Sequence, residues 1–142
     1  MYKHILIPLE NSSSDETILG HIRKLAKIMG SKLTLIHVAD GFAARYQEPL
    51  NLAPSKEMIE DDNYLKKVKK ELEAEGFQVS YILDAGDPSS KIIDFANKNS
   101  CDLIAMSTHG HKFIKDLILG SPASKIRHNT GIAVLLIKSD RR

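Results

Sequence analysis

Leu103-Ile104-Ala105-Met106-Ser107-Thr108-His109-Gly110 joins four apolar residues directly to a polar, glycine-bearing tail. The apolar part has no polar alternation, which is the pattern of a strand covered on both faces. Such a strand belongs to a parallel sheet, because crossover connections lay helices over both sides. Similar short runs recur on either side of it. Ile5-Leu6-Ile7 is stopped by Pro8, and Lys32-Leu33-Thr34-Leu35-Ile36-His37-Val38 forms a second strand. Val79-Ser80-Tyr81-Ile82-Leu83 is a third, and Ala133-Val134-Leu135-Leu136-Ile137 closes the chain.

Between the strands the apolar residues fall at helical spacing. Ile18, Ile22, Leu25 and Met29 make one face of a helix, with possible N-caps in Asn11-Ser12-Ser13-Ser14-Asp15 and a stop at Gly30. A charged helix over Lys56–Glu75 buries Tyr64, Leu65, Val68 and Leu72 and ends at Gly76. Gly86-Asp87-Pro88 starts another, with Asp87 as cap and Pro88 as first helical residue. Its inward residues are Ile92, Phe95 and Ala96, and it runs to Asn99. A short helix is expected near Ala123–His128. Residues 39–55, with Gly41, Pro49 and Pro54, show no period and read as a long surface loop, of the kind that covers a site or an interface. Strands alternating with helices define an α/β chain with a doubly wound, mostly parallel five-stranded sheet and helices on both faces. No repeat or linker divides residues 1–142, so one domain is expected.

Composition narrows the function classes. A chain of 142 residues is long enough to bury a real core, and 42% hydrophobic against 27% charged residues is an ordinary globular balance. The net charge of +2 is too small to argue for nucleic acid or an anionic membrane as partner. No leader-like segment and no apolar run long enough to span a membrane is visible. Cys101, the single cysteine, has no partner in the chain, and a reducing, cytoplasmic setting is expected.

In open parallel sheets, ligands bind beyond the carboxyl ends of the strands, where the winding reverses. Pro8-Leu9-Glu10, Val38-Ala39-Asp40 and Ser107-Thr108-His109-Gly110 should converge there. The last of these leads to Gly120-Ser121-Pro122, the entrance of a helix with Ser121 as cap and Pro122 at its first position. A helix entrance offers unpaired N–H groups and a positive dipole end. Glycines at 110 and 120 let an anion approach the backbone, and Ser121 adds a hydroxyl, which makes a plausible phosphate cradle. The same residues also fit an ordinary turn and cap, and taken alone they leave both readings open.

Other chemistries find less support. His109 and His111 lack the further ligands that zinc needs, so no dedicated metal site is expected. There is no Gly-x-Ser-x-Gly elbow, no Gly-x4-Gly-Lys-Ser/Thr loop and no Gly-x-Gly-x-x-Gly. No catalytic residue is assigned, because neither the base nor the cation clamp of an efficient ATPase can be identified.

Ser107-Thr108-His109-Gly110, nine residues, then Gly120-Ser121 resembles the nucleotide motif of the universal stress protein family. Ile5-Leu6-Ile7-Pro8, Leu35-Ile36-His37-Val38, Gly86-Asp87-Pro88 and Asp102–Met106 fall where that family has recurring segments, so the likeness covers nearly the whole chain. The resemblance implies a Rossmann-like fold of the adenine nucleotide alpha hydrolase type, with strand order 3-2-1-4-5. It implies ATP or another adenine nucleotide, with any magnesium arriving on the phosphates. By position, Gly110, Gly120 and Ser121, with Pro122 at the helix start, would hold phosphates. Pro8, Glu10 and Val38 would face the nucleoside, and Met106 and Ser107 would line its floor. Homodimers are implied as well, and the uncharged strand Ala133–Ile137, expected at a sheet edge, is where antiparallel pairing would occur. Two positions depart from the family: Ser107 replaces its first motif glycine and Glu10 its aspartate. Both bear against tight binding without forbidding it. The functions to weigh are a nucleotide-binding regulatory module, a ligand-free interaction dimer and a slow ATP hydrolase.

Overall fold

Most residues in the middle of the strands face one of two apolar layers, which is why the strands carry so few polar breaks. The structure is a computed structural model that describes residues 1–39, 56–109 and 122–139. Its strands are β1 (His4–Pro8), β2 (Lys32–Ala39), β3 (Val79–Ala85), β4 (Leu103–His109) and β5 (Ala133–Ser139). All four pairings are parallel, and the order is β3-β2-β1-β4-β5. The helices are α1 (Asp15–Met29), α2 (Lys56–Ala74), α3 (Pro88–Lys98) and α4 (Pro122–Asn129).

On one face, Ile5, Ile7, Leu33, Leu35, Leu103 and Ala105 pack against Ile18 and Ile22 of α1 and Leu65, Val68 and Leu72 of α2. On the other, Leu6, Ile36, Ile104 and Met106 meet Ile92 and Ala96 of α3 and Ile126 of α4. The chain winds outward from β1 through β2 to β3, then returns to β4 and β5. The reversal therefore lies between β1 and β4, and β5 takes a border position as expected.

Helix ends follow local chemistry. Gly30 adopts φ 66°, ψ 36°, a left-handed conformation costly for any residue with a Cβ, and its N–H returns to Ala26 O. Asp87 caps α3 by accepting the Ser90 N–H at 3.0 Å, with Pro88 in the first turn. The Ser90 hydroxyl and amide, then the Ser89 hydroxyl, hold the Asp87 carboxyl below its ordinary range. Two details of α1 differ from the sequence expectation. Ser14 occupies the N-cap position but makes no side-chain cap bond. Met29 is 39% exposed rather than buried, because the last turn of α1 lies at the sheet's rim, where solvent covers its outer side. Leu19 and Ala26 complete the buried stripe instead.

A polar chain crosses the amino-terminal edge of the sheet. Asn99 O can only accept, so the His4 Nδ1–H donates to it, at 3.1 Å. His4 Nε2 then accepts from the Thr34 hydroxyl at 2.7 Å, and Thr34 Oγ1 accepts from the Ser80 hydroxyl at 2.8 Å. Burial holds the His4 pKa below 6.5, with Lys32 adding to the effect and Asn99 and Asp102 opposing it. Cys101 is buried beside this chain, and its thiol is pushed up to about 11, first by burial and then by Asp102. A thiol held protonated in this way is a poor nucleophile.

Candidate functional site

The segment after β1 forms the frame of the site. Pro8 ends the strand, and the next residue, Leu9, is tied to β2 by its N–H on Ile36 O at 2.8 Å. The chain then turns around one carboxylate. Asp15, 1% exposed, accepts the N–H of Glu10 at 3.0 Å and of Asn11 at 2.9 Å. A longer contact of 3.4 Å comes from the Ser12 N–H. The Tyr64 hydroxyl of α2 donates to the same carboxylate at 2.7 Å. Burial raises the Asp15 pKa, and the Glu10 amide, Tyr64, Asn11 and Ser12 counter that rise in descending order. Burial, with the bond to Asp15 next, pushes the Tyr64 phenol well above its ordinary range.

The same loop is fastened from a second direction. His37 on β2 donates from Nδ1 to Leu9 O at 2.7 Å, and its Nε2 lies 3.1 Å from Asp61 Oδ2 on α2. The other oxygen of Asp61 accepts from the Asn11 side-chain amide at 3.0 Å. Glu10 projects outward, and its carboxylate lies within reach of the Ser12 and Ser14 hydroxyls at 3.4 and 3.3 Å.

Between the ends of β1, β2 and β4 and the start of α3 lies a cavity of about 130 Å3. Pro8, Glu10, Val38, Met106 and Ser107, five of the residues expected from the sequence, line it together. Gly110, Gly120 and Ser121 lie outside the described residues. Pro122 opens α4, as its place after Gly120-Ser121 suggested. Leu9 lines it as part of Pro8-Leu9-Glu10, and Ile36, His37, Pro88 and Ile92 line it without having been foreseen. A signal for two of them existed. Gly86-Asp87-Pro88 comes after β3, and a parallel neighbour of β2 must deliver its next helix to the same edge. The Gly86 N–H bonds Ala39 O at 3.1 Å, drawing that helix start against the end of β2. Among the described residues no three His, Cys, Asp or Glu side chains gather as a metal site.

The hollow lies where the winding of the sheet reverses, and a carboxylate and a serine share its lining with seven apolar residues. The universal stress protein family matches residues 1–138, and the chain belongs to that family. It is similar to the universal stress protein MJ0577 of Methanocaldococcus jannaschii, at 29% identity with 97% of this chain and 96% of the relative covered. The solved structure of MJ0577 superposes with a TM-score of 0.82, over 100% of this chain and 99% of that one. A universal stress protein solved in complex with cAMP shares the fold at TM-score 0.72 and 15% identity, covering 96% of both chains. One from Archaeoglobus fulgidus in complex with dAMP does so at 0.71 and 19%, covering 96% of this chain and 98% of the other.

Proposed function

We propose that this protein is a regulatory module of the stress response that binds an adenine nucleotide at the carboxyl edge of its sheet. The observation that carries the reading is the hollow lined jointly by Pro8, Glu10, Val38, Met106 and Ser107. Val38, Met106 and Ile92 supply apolar walls for a flat heterocycle, while Glu10 and Ser107 supply acceptors and a hydroxyl for a sugar. The phosphates would extend toward residues 110–121, where the amides of Gly110, Gly120 and Ser121 would serve as donors, with Pro122 starting α4 but offering no N–H. Support also comes from the cAMP and dAMP complexes of proteins that share this fold. Magnesium, where present, would arrive on the phosphates.

The test is a titration of ATP, AMP and GTP against melting temperature, repeated with Val38→Trp. Adenine nucleotides are expected to stabilise saturably, by about 2.7 kcal/mol at a hundredfold excess over Kd, and the tryptophan to abolish the effect. No shift with either adenine nucleotide at millimolar concentration would reject the reading.

The assembly belongs to the same proposal. β5 (Ala133–Ser139) lies at a border of the sheet formed by the described strands, and pairing of two copies would run along that border across a two-fold axis. Leu135 also packs against the core on the α1 side, so its replacement would perturb folding and pairing together. Sedimentation of the unmodified chain over a concentration series tests the dimer directly. A monomer at every concentration would dismiss it.

A further inference from the structure

At the sheet edge opposite the candidate site, a cleft of about 630 Å3 opens between the ends of α1 and α2 and the start of β2. Its groups divide into those already engaged and those left over. Glu75 is held by Arg23, whose Nε reaches both carboxylate oxygens at 3.0 Å. Nearby, Asp102 accepts the backbone N–H groups of Lys3 and His4 at 2.9 and 3.1 Å. The carbonyls ending the helices are closed by the chain itself: Ala26 O takes the N–H groups of Gly30 and Ser31, and Leu72 O those of Glu75 and Phe77.

What remains are three ammonium groups. Lys3, Lys27 and Lys32 line the cleft, and none forms an ion pair among the described residues. Lysine at a helix end is often explained by the helix dipole. That accounts for Lys27 in the last turn of α1, but Lys32 belongs to a strand and Lys3 directly precedes one. Apolar surface is exposed here too, because Met29, one of the four large hydrophobic side chains exposed among the described residues, lines the cleft.

We propose that this cleft docks an acidic, extended segment of a partner polypeptide, with carboxylates on Lys3, Lys27 and Lys32 and an apolar side chain against Met29. Charge complementarity sets the sign of the partner, and Met29 sets the mixed character of the segment. A concave cleft between helix ends suits an extended chain better than a flat lipid surface. Three lysines beside a single aromatic, Phe77, which is half-buried against the core, are also a meagre base for nucleic acid. Because the cleft and the candidate site occupy opposite edges of one sheet, both can be filled at once.

The test is fluorescence anisotropy of the full chain with a short labelled peptide of glutamates around a central leucine, at about 50 mM salt. The glutamate peptide is expected to bind. A glutamine counterpart is expected not to, and a serine in place of the leucine should weaken binding severalfold. Neutralising Lys3→Gln, Lys27→Gln and Lys32→Gln together should weaken binding about tenfold. The same charge change on α2, Lys56→Gln, Lys67→Gln and Lys70→Gln, should alter it by less than about twofold. Circular dichroism and melting checks that both triple variants are folded. Equal loss with the α2 triple, equal binding of the glutamine peptide, or no binding at low salt would overturn the proposal. So would stronger, cleft-dependent binding of phosphatidylserine vesicles or single-stranded RNA.

Discussion

Asp15 is the side chain on which the loop after β1 depends, and Asp15→Asn isolates its contribution. In the parent, Oδ2 receives Asn11 N–H, Ser12 N–H and the Tyr64 hydroxyl, and the Glu10 N–H is shared between Oδ1 at 3.0 Å and Oδ2 at 3.2 Å. Asparagine has one oxygen. With that oxygen kept at the Oδ2 position, its amide nitrogen replaces the nearer acceptor of the Glu10 N–H, which keeps only the longer contact while a second donor faces it. A buried amide deprived of its better acceptor costs about 1–3 kcal/mol, and the remaining bonds lose the strengthening of an ionised acceptor. Part of this loss is offset because a neutral amide is less costly to bury than the carboxylate whose pKa is raised. The net expectation is about 2 kcal/mol of destabilisation, and about 3–5 for Asp15→Ala, which removes every acceptor. Urea unfolding followed by circular dichroism should show a lower midpoint at unchanged slope. The pH dependence adds a second check. A raised folded pKa means a contribution fully present below 3.8, the ordinary value, and lost as pH rises through the folded value. The gap between parent and Asp15→Asn should therefore be widest in acid and narrow as the carboxylate ionises. A variant within about 0.5 kcal/mol of the parent, or a gap that widens with pH, would refute the reasoning.

Contacts at either end of the sheet lead to two further outcomes. His4 has a folded pKa below 6.5, so its contribution is present above that value and lost as pH falls through the folded one. Stability measured from about pH 7.5 down to 5 should decline, and His4→Gln should flatten that decline; an unchanged profile would contradict the assignment. His37→Asn retains a donor for Leu9 O but cannot reach Asp61. A double-mutant cycle with Asp61→Asn should therefore return about 1 kcal/mol of coupling, and a value near zero would show the pair to be incidental.

The strands and most helix ends were legible because each rests on local pattern, whereas the strand order came from the family resemblance. Ile5-Leu6-Ile7 reads as doubly covered from composition alone, and Gly30 and Asp87 announce their roles by type and place. Pro8, Glu10, Val38 and Ser107 were legible for a topological reason, since strand tips at a winding reversal must meet, and Met106 came with the family resemblance. Asp15 was not. It reads as one more polar residue in a capping cluster, and only Tyr64, brought in from α2, and the folded-back amides of residues 10–12 mark it as a buried acceptor. His37 was missed as a loop fastener for the same reason, because Asp61 lies on a different element. Met29 fitted the apolar spacing of α1, but spacing does not say where a helix passes the rim of the sheet. The lysine cleft had no sequence signal at all: Lys3, Lys27 and Lys32 are scattered along the chain and meet only in the fold.

Placing the first strand in the middle of the sheet has a consequence during synthesis. Leu6 is translated roughly a hundred residues before its β4 neighbour, Ile104. At about 5–20 residues per second, one border of that strand stays unpaired for roughly 5–20 s while the β2 side already has its partner. The nascent amino-terminal half is thus an apolar sheet with an open seam, and it is during this interval that a chaperone or a stray strand competes for it.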